Sequence, residues 1–154
     1  MSAYTNQYLV NTVNSASPEQ LMLMLYDGAI RFLSQGIISI ENGMLDKRAY
    51  FINKASAIIS EFSATLDRSQ DAELADNLDA LYGYMLNRLL DGNKNNDTEA
   101  LIEVKNMLSD LRSTWGQAIE RNKLEKSGRA ATAYPGTTTD TPSPEEHKSI
   151  ATAM

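Results

Sequence analysis

The feature that most constrains the fold of this chain is a helical spacing of apolar residues that recurs in four successive segments. The segments cover about residues 17–43, 46–66, 72–90 and 98–126, with Asp46 and Asp71 as candidate helix starts and Gly92 as a candidate stop. In the second segment, the apolar residues from Phe51 to Leu66 fall within an arc of roughly 120° in helical projection. The links are short, roughly 3 to 7 residues, so consecutive helices must be antiparallel neighbours. No stretch alternates apolar and polar residues as a strand does. The sequence therefore predicts an all-α, antiparallel up-down four-helix bundle.

The first helical segment begins with a clear start signal and continues with more apolar residues than one helix face needs. Ser17 is a candidate N-cap, Pro18 suits the first helical position, and Gln20 completes a capping box. The residues from Leu21 to Tyr26 are all apolar, and the apolar arc of this helix spans roughly 180–200°, whereas a bundle seam needs about 100°. Two explanations stay open: the helix is the most central one and two neighbours cover it, or part of its surface binds something else.

Charge and composition argue against several classes of function. The formal net charge of −6 and the isoelectric point near 4.8 argue against binding to nucleic acid or to an anionic membrane surface. Because the chain has no cysteine, neither disulfides nor thiolate chemistry is expected. No apolar run reaches the roughly 18 residues of a spanning helix, and the amino terminus does not resemble a signal peptide. We therefore expect a cytoplasmic protein.

The sequence contains no candidate catalytic or metal site. A di-metal site in a helix bundle needs Glu-x-x-His pairs, but the single histidine is His147, near the end of the chain. The same shortage argues against a zinc site and against a Ser-His-Asp arrangement. The stretch DGNKNND at residues 91–97 lacks the spacing of a phosphate-binding loop, and Asp76 and Asp79 fall on the polar side of their helix. These observations predict a binding protein that needs no cofactor and is not an enzyme.

The two ends of the chain differ from the central segments. Residues 1–16 carry Tyr4, Tyr8 and further apolar residues among asparagines, which predicts a mobile arm that lies on an apolar surface. A tethered arm has an effective concentration of about millimolar, so it needs to bind only weakly. Residues 127–154 are rich in Thr, Ser, Ala, Pro and Gly, which predicts a disordered tail. The domain assignment is therefore an arm (1–16), a four-helix bundle (17–126) and a tail (127–154).

Several separated blocks of this sequence resemble the flagellin-specific export chaperones of bacterial flagella. The most specific are ASPEQLMLMLYDGAIRFL at residues 16–33 and NLDALYGYMLNRLL at residues 77–90, within a resemblance that covers about residues 4–120. The resemblance implies a cytoplasmic helical bundle that binds the disordered carboxy-terminal segment of flagellin one-to-one. Such chaperones prevent premature polymerisation and help to deliver flagellin to the flagellar type III export apparatus. The resemblance also implies that the amino-terminal segment leaves a site that it otherwise occupies.

The candidate partner-binding residues come from two sources. Tyr4, Tyr8 and Tyr26 carry over from the resemblance, the first two in the mobile segment and the third in the long block. The surplus apolar faces of the first and third segments suggest five more residues: Ile30, Leu33, Ile37, Tyr82 and Leu86. At Gly36 the sequence departs from the family, in which an alanine is usual.

Further partners and a different class of protein stay open at this point. The resemblance leaves open whether an export-gate subunit or an anti-sigma factor also binds. The alternative class is a structural bundle whose surplus apolar face forms a homodimer. A titration with a flagellin carboxy-terminal peptide separates the two, because a chaperone monomer becomes a one-to-one complex whereas such a dimer does not respond.

Overall fold

The computed structural model describes the backbone of residues 3–132 and the side chains of residues 6, 7 and 9–128. It contains five helices: α1 Ala3–Ser15, α2 Pro18–Glu41, α3 Leu45–Ala64, α4 Ala72–Asn95 and α5 Thr98–Thr132. No strand occurs within residues 3–132, so the predicted all-α class is confirmed for this part of the chain. Helices α2 to α5 correspond to the four predicted segments, and α1 lies in the segment predicted as an arm.

Ser17 starts α2 in the way that the sequence predicts. Its hydroxyl accepts a hydrogen bond from the backbone N–H of Gln20 at 3.2 Å. In return, the side-chain oxygen of Gln20 accepts one from the backbone N–H of Ser17, also at 3.2 Å. This capping box satisfies two of the N–H groups that the start of a helix leaves without a partner, and Pro18 at the first position has no N–H to satisfy.

Removing the cap is expected to weaken α2. We expect Ser17→Ala to lower the free energy of unfolding by about 1 kcal/mol, because Gln20 loses the acceptor of its backbone N–H. Urea unfolding followed by circular dichroism measures this change. Ser60→Ala, at an exposed serine of α3, is the control and should change the free energy by less than about 0.5 kcal/mol. Equal losses in the two variants would contradict the capping role.

The start of α3 differs from the predicted one. The sequence suggests Asp46 as the N-cap, whereas the helix begins at Leu45 behind Met44, which makes no side-chain capping bond. Asp46 instead lies in the first turn, where a carboxylate interacts favourably with the positive end of the helix dipole.

The end of α4 also differs, and packing explains why. The helix passes through Gly92, which the sequence suggests as a stop, and ends at Asn95. The left-handed residue that ends it is Asn96, with a φ of 53°. Gly92 is a packing position, because a Cβ there would lie 2.4 Å from Cδ1 of Leu101.

The chain divides into two compact units, residues 1–117 and 118–154, and α5 has residues in both. In the second unit, α5 continues past Lys126 to Thr132, so residues 127–132 are helical and the predicted tail starts too early. The rest of the predicted tail, residues 133–154, lies outside the described residues.

In the first unit, side chains connect α2 to α3, α3 to α4, α4 to α5 and α5 to α2. The ring of Tyr26 stacks on Phe62, Phe62 packs on Tyr82, and two ion pairs join Arg88 to Glu103 and Arg112 to Asp27. The predicted four-helix arrangement fits these contacts. One core lies among the four helices, and its largest fully buried side chains are Tyr26, Leu33, Ile52, Ile59, Met85, Leu89, Leu101, Val104 and Leu108.

Judged by length and composition alone, α2 is apolar enough to cross a membrane, the one described helix of which this is true. The expectation concerned an uninterrupted apolar run, and no run of that length exists. The two criteria give different results because the mean hydropathy of 1.3 is an average, which is high although Asp27 and Arg31 lie within the helix. The core helix of a water-soluble protein passes the same test. In α2, Tyr26, Ala29 and Leu33 have no exposed surface and belong to the bundle core.

Candidate functional site

An apolar groove opens where α2 and α4 begin and α3 ends, with a volume of about 780 Å³. Its apolar walls consist of Leu21, Met22 and Leu25 from α2, Leu66 just after α3, and Leu74 and Leu78 from α4. Leu21 and Leu74 keep 36% and 46% of their surface exposed. The groove thus presents apolar surface to water, and apolar clefts of this kind are candidate binding sites.

An aromatic cluster of Tyr26, Phe62, Tyr82 and Trp115 supports the groove. Phe62, Tyr82 and Trp115 line the groove, whereas Tyr26 has no exposed surface and lies beneath it. The rings of Tyr26 and Phe62 stack with their centroids 4.4 Å apart, and those of Phe62 and Tyr82 are 5.7 Å apart. Each such aromatic pair contributes about 0.5–1.5 kcal/mol beyond the burial of its area, so the groove stands on a well-packed base.

Hydrogen bonds join three members of the aromatic cluster. The hydroxyl oxygens of Tyr26 and Tyr82 are 2.6 Å apart, and the indole N–H of Trp115 donates to the Tyr26 hydroxyl at 3.2 Å. Burial raises the pKa of both Tyr26 and Tyr82 above the ordinary value of 10.0, and the hydrogen bond to Tyr26 raises that of Tyr82 further. Both hydroxyls are therefore neutral at physiological pH, and each buried oxygen has a partner.

The protein is expected to lose stability as the pH rises above about 10. The unfolded chain releases tyrosine protons near that pH, whereas the folded chain retains those of Tyr26 and Tyr82, so the free energy of unfolding falls with increasing pH. Below pH 10 both states hold these protons and this contribution is intact. Urea unfolding at a series of alkaline pH values measures the slope. The Tyr26→Phe, Tyr82→Phe double variant should show a shallower decrease, and an unchanged slope would contradict the assignment.

The rim of the groove is acidic. Glu61, Asp67 and Asp71 line it, and none of the described residues that line it is a lysine or arginine. Asp71 caps α4 by accepting a hydrogen bond from the backbone N–H of Leu74 at 3.0 Å. Hydrogen bonds from the hydroxyl and the backbone N–H of Ser69 lower the pKa of Asp67. A partner with basic residues beside its apolar side chains would fit this rim.

A smaller cavity of about 350 Å³ lies beside the end of α1. It is lined by Ser15, by Leu23 and Met24 of α2, and by Asp27 and Arg112, whose ion pair has an N–O distance of 3.0 Å. The surplus apolar arc of α2 thus faces several surroundings. Leu23 and Met24 face the cavity beside α1, Leu21, Met22 and Leu25 line the groove, and most of the remaining arc packs in or against the core.

Comparison with known proteins identifies the family of this chain. The profile of the family described as flagellar protein FliS matches residues 1–122. The chain belongs to the FliS family. The flagellar secretion chaperone FliS of Bacillus subtilis is 37% identical over 126 residues, which is 82% of this chain and 93% of the relative. That of Salmonella typhimurium is 36% identical over 128 residues, 82% and 95% of the two chains. The flagellar secretion chaperone FliSB of Pseudomonas aeruginosa is 35% identical over 115 residues, 75% and 91%.

Membership of the FliS family confirms the resemblance seen in the sequence. The relatives are named chaperones of flagellar secretion. Within the part of this FliS family member that the structure describes, no group of three or more His, Cys, Asp or Glu side chains is arranged to hold a metal ion.

The predicted partner-binding residues occupy three kinds of position in this FliS family member. Tyr26 and Leu33 have no exposed surface, and Tyr82 is 3% exposed but lines the groove. Ile30, Ile37 and Leu86 are partly buried against the core, away from the groove lining. The side chains of Tyr4 and Tyr8 lie outside the described part of the structure. Of the eight residues, the structure brings Tyr26 and Tyr82 together, and partner binding by any of them stays a prediction.

Several groove residues are absent from the predicted set. Leu66, Leu74, Leu78 and Trp115 line the groove, although the helical pattern assigns them to core stripes. For Leu66 and Leu74 the available signal is their position beside a helix end, because a short link brings the end of one helix beside the start of the next. Trp115 lies in the middle of α5, where the sequence offers no such signal. At the open end of a bundle, the same apolar stripe that forms the core continues onto accessible surface.

Proposed function

We propose that this FliS family member is a cytoplasmic export chaperone that binds the disordered carboxy-terminal segment of flagellin one-to-one. By occupying that segment, it prevents premature polymerisation and helps to deliver flagellin to the flagellar type III export apparatus. The observation that carries the proposal is the apolar groove of about 780 Å³ at the start of α2 and α4. Apolar grooves on helical proteins are a recurrent means of holding amphipathic segments.

The energetics of such a complex are favourable. A segment that buries three or four large apolar side chains gains on the order of 5 to 10 kcal/mol from transfer out of water. Ordering of the disordered segment costs about 2 to 5 kcal/mol of this. The difference leaves up to about 8 kcal/mol for the complex, which corresponds to a dissociation constant of about 1 μM.

The amino-terminal segment has a role in this proposal. It includes α1, and among the side chains of α1 that the structure describes, Leu9, Val10 and Val13 are exposed and apolar. We assign to this segment, with Tyr4 and Tyr8, the role of a weak intramolecular competitor that flagellin displaces. Ile30, Ile37 and Leu86 extend the contact surface along the bundle, whereas Tyr26 and Leu33 support it from the core.

Calorimetric titration of the full chain with a synthetic flagellin carboxy-terminal peptide tests the proposal. The expected result is a one-to-one complex that Leu74→Asp weakens at least about tenfold, because an apolar contact is replaced by a charge that the peptide would desolvate. Leu74 is 46% exposed, so the bundle should tolerate the change.

Leu90→Asp is the matched control, since Leu90 lies on the same helix, is 67% exposed and does not line the groove. It should leave the affinity unchanged. A free chain that is a stable dimer and ignores the peptide contradicts the proposal and supports the alternative of a structural homodimer. Equal affinities of the Leu74→Asp and Leu90→Asp variants contradict the assignment of the groove. The Tyr4→Ala, Tyr8→Ala double variant in the same titration tests the competitor role, which an unaltered affinity would contradict.

A further inference from the structure

The hydrogen bonds of the aromatic cluster leave one donor without an acceptor. The indole N–H of Trp115 and the hydroxyls of Tyr26 and Tyr82 supply three protons. The acceptors are the two hydroxyl oxygens, and the structure contains two hydrogen bonds to them. One joins the two hydroxyls at 2.6 Å, and the other runs from Trp115 to Tyr26 at 3.2 Å. The bond between the hydroxyls uses one of their two protons. Among the described residues, no acceptor is found for the other.

Two arrangements of the protons are chemically distinct. If Tyr82 donates to Tyr26, the Tyr26 oxygen accepts two bonds and its own proton points into a core position with no exposed surface. If Tyr26 donates to Tyr82, the unused proton belongs to Tyr82, which lines the groove. A buried donor without a partner costs about 1–3 kcal/mol, and of the two tyrosines only Tyr82 borders the groove, where an occupant can supply an acceptor. The second arrangement is therefore the favoured one.

We infer that the hydroxyl of Tyr82 donates a hydrogen bond to a main-chain carbonyl oxygen of the segment that occupies the groove, an inference that rests on the proposed function. The apolar walls select apolar side chains, which bring no acceptor. Basic side chains that fit the acidic rim carry donors only. The acceptors that such a segment brings to the apolar walls are therefore those of its main chain, and the last turn of a short helix leaves its carbonyl oxygens without partners. The bond gives the groove a fixed point that sets the register of an otherwise apolar ligand.

The structure offers a matched pair of variants for the test. Tyr82→Phe and Tyr26→Phe both remove the bond between the two hydroxyls, but Tyr82→Phe alone removes the proton assigned to the ligand. In calorimetric titration with the flagellin carboxy-terminal peptide, Tyr82→Phe should weaken binding about five- to fiftyfold, because a buried carbonyl loses its donor. Tyr26→Phe, which removes the hydroxyl bond and the acceptor of the Trp115 N–H but keeps the Tyr82 proton, should weaken binding less than Tyr82→Phe does. Thermal unfolding of both variants establishes that each is folded.

Infrared spectra of peptides with a single isotope-labelled main-chain carbonyl identify the acceptor. One labelled carbonyl should absorb at lower frequency when bound to the wild-type chain or to Tyr26→Phe, and should lose this shift with Tyr82→Phe.

Equal affinity of the peptide for the wild-type chain and both variants would contradict the assignment of Tyr82 as the donor but would leave the proposed function intact. Equal weakening by both variants also contradicts the donor, because it assigns the effect to the lost hydroxyl pair. No Tyr82-dependent shift at any label contradicts the main-chain acceptor. Absence of binding by the wild-type chain contradicts the proposed function itself.

Discussion

Leu101→Ala is expected to lower the free energy of unfolding by about 3 to 5 kcal/mol, at the upper end of the range for such truncations. Leu101 has no exposed surface, and its two methyl groups lie over glycines of two different helices. A Cβ built on Gly92 of α4 would lie 2.4 Å from its Cδ1, and one built on Gly36 of α2 would lie 3.1 Å from its Cδ2. Because glycine has no side chain that can move into the space, the cavity left by the truncation cannot close.

Urea unfolding of the variant measures this loss. Leu90→Ala is the control, because the same truncation at a side chain that is 67% exposed should change the free energy by less than about 0.5 kcal/mol. A loss below about 1 kcal/mol for Leu101→Ala would mean that the helices move together to fill the space. Neither leucine lines the groove, so these variants report on the fold and not on the proposed contact with a partner.

Gly92→Ala is expected to destabilise the protein by about 1 to 3 kcal/mol, although alanine is intrinsically the better helix former by about 1 kcal/mol. The new methyl group would collide with Leu101 and would lie 3.3 Å from the backbone oxygen of Asp97 at the start of α5. A side chain can rotate away, but the link that carries Asp97 must shift as a whole.

Gly83→Ala is the matched control, because it lies in the same helix and a Cβ there meets nothing within 4 Å. It should stabilise the protein by up to about 1 kcal/mol. The double variant Leu101→Ala, Gly92→Ala provides a second check, since the truncation removes the atom with which the methyl collides. The two effects should therefore not add, and additive losses would contradict the contact.

The close fit around Leu101 also accounts for a glycine at position 36. An alanine there would gain helix propensity, but its Cβ would require Leu101 to move by a few tenths of an ångström. The two glycines and the leucine thus act as one packing unit between α2, α4 and α5. A leucine at position 101 packs against a glycine at position 36 without displacement, whereas it would have to move for an alanine.

The groove and this packing unit involve different parts of the helices. The groove involves the starts of α2 and α4, whereas Gly36 and Gly92 lie toward the ends of the same two helices. The aromatic cluster lies between the groove and the core, through Tyr26 below and Tyr82 at the groove lining. Binding and stability can accordingly be varied through separate residues.

Local chemistry alone determined much about this protein. The spacing of apolar residues places four helices, because a helix must turn its apolar stripe toward a core. Ser17 and Asp71 mark helix starts because their side chains accept from backbone N–H groups three residues ahead, a contact that depends on neighbours in the chain only. The blocks around residues 16–33 and 77–90 were sufficient to indicate the family that comparison confirms.

Tertiary structure decided what each apolar face meets. Periodicity shows that Tyr26 and Leu78 are on apolar faces, but Tyr26 lies in the core and Leu78 lines the groove, because the neighbouring helices bury Tyr26 completely and cover Leu78 only in part. Gly92 is a residue type that often ends a helix, but here it lies inside α4. Its lack of a side chain leaves room for Leu101, which belongs to another helix. The bond between Tyr26 and Tyr82 joins residues 56 positions apart, and no local pattern encodes a pair at that separation.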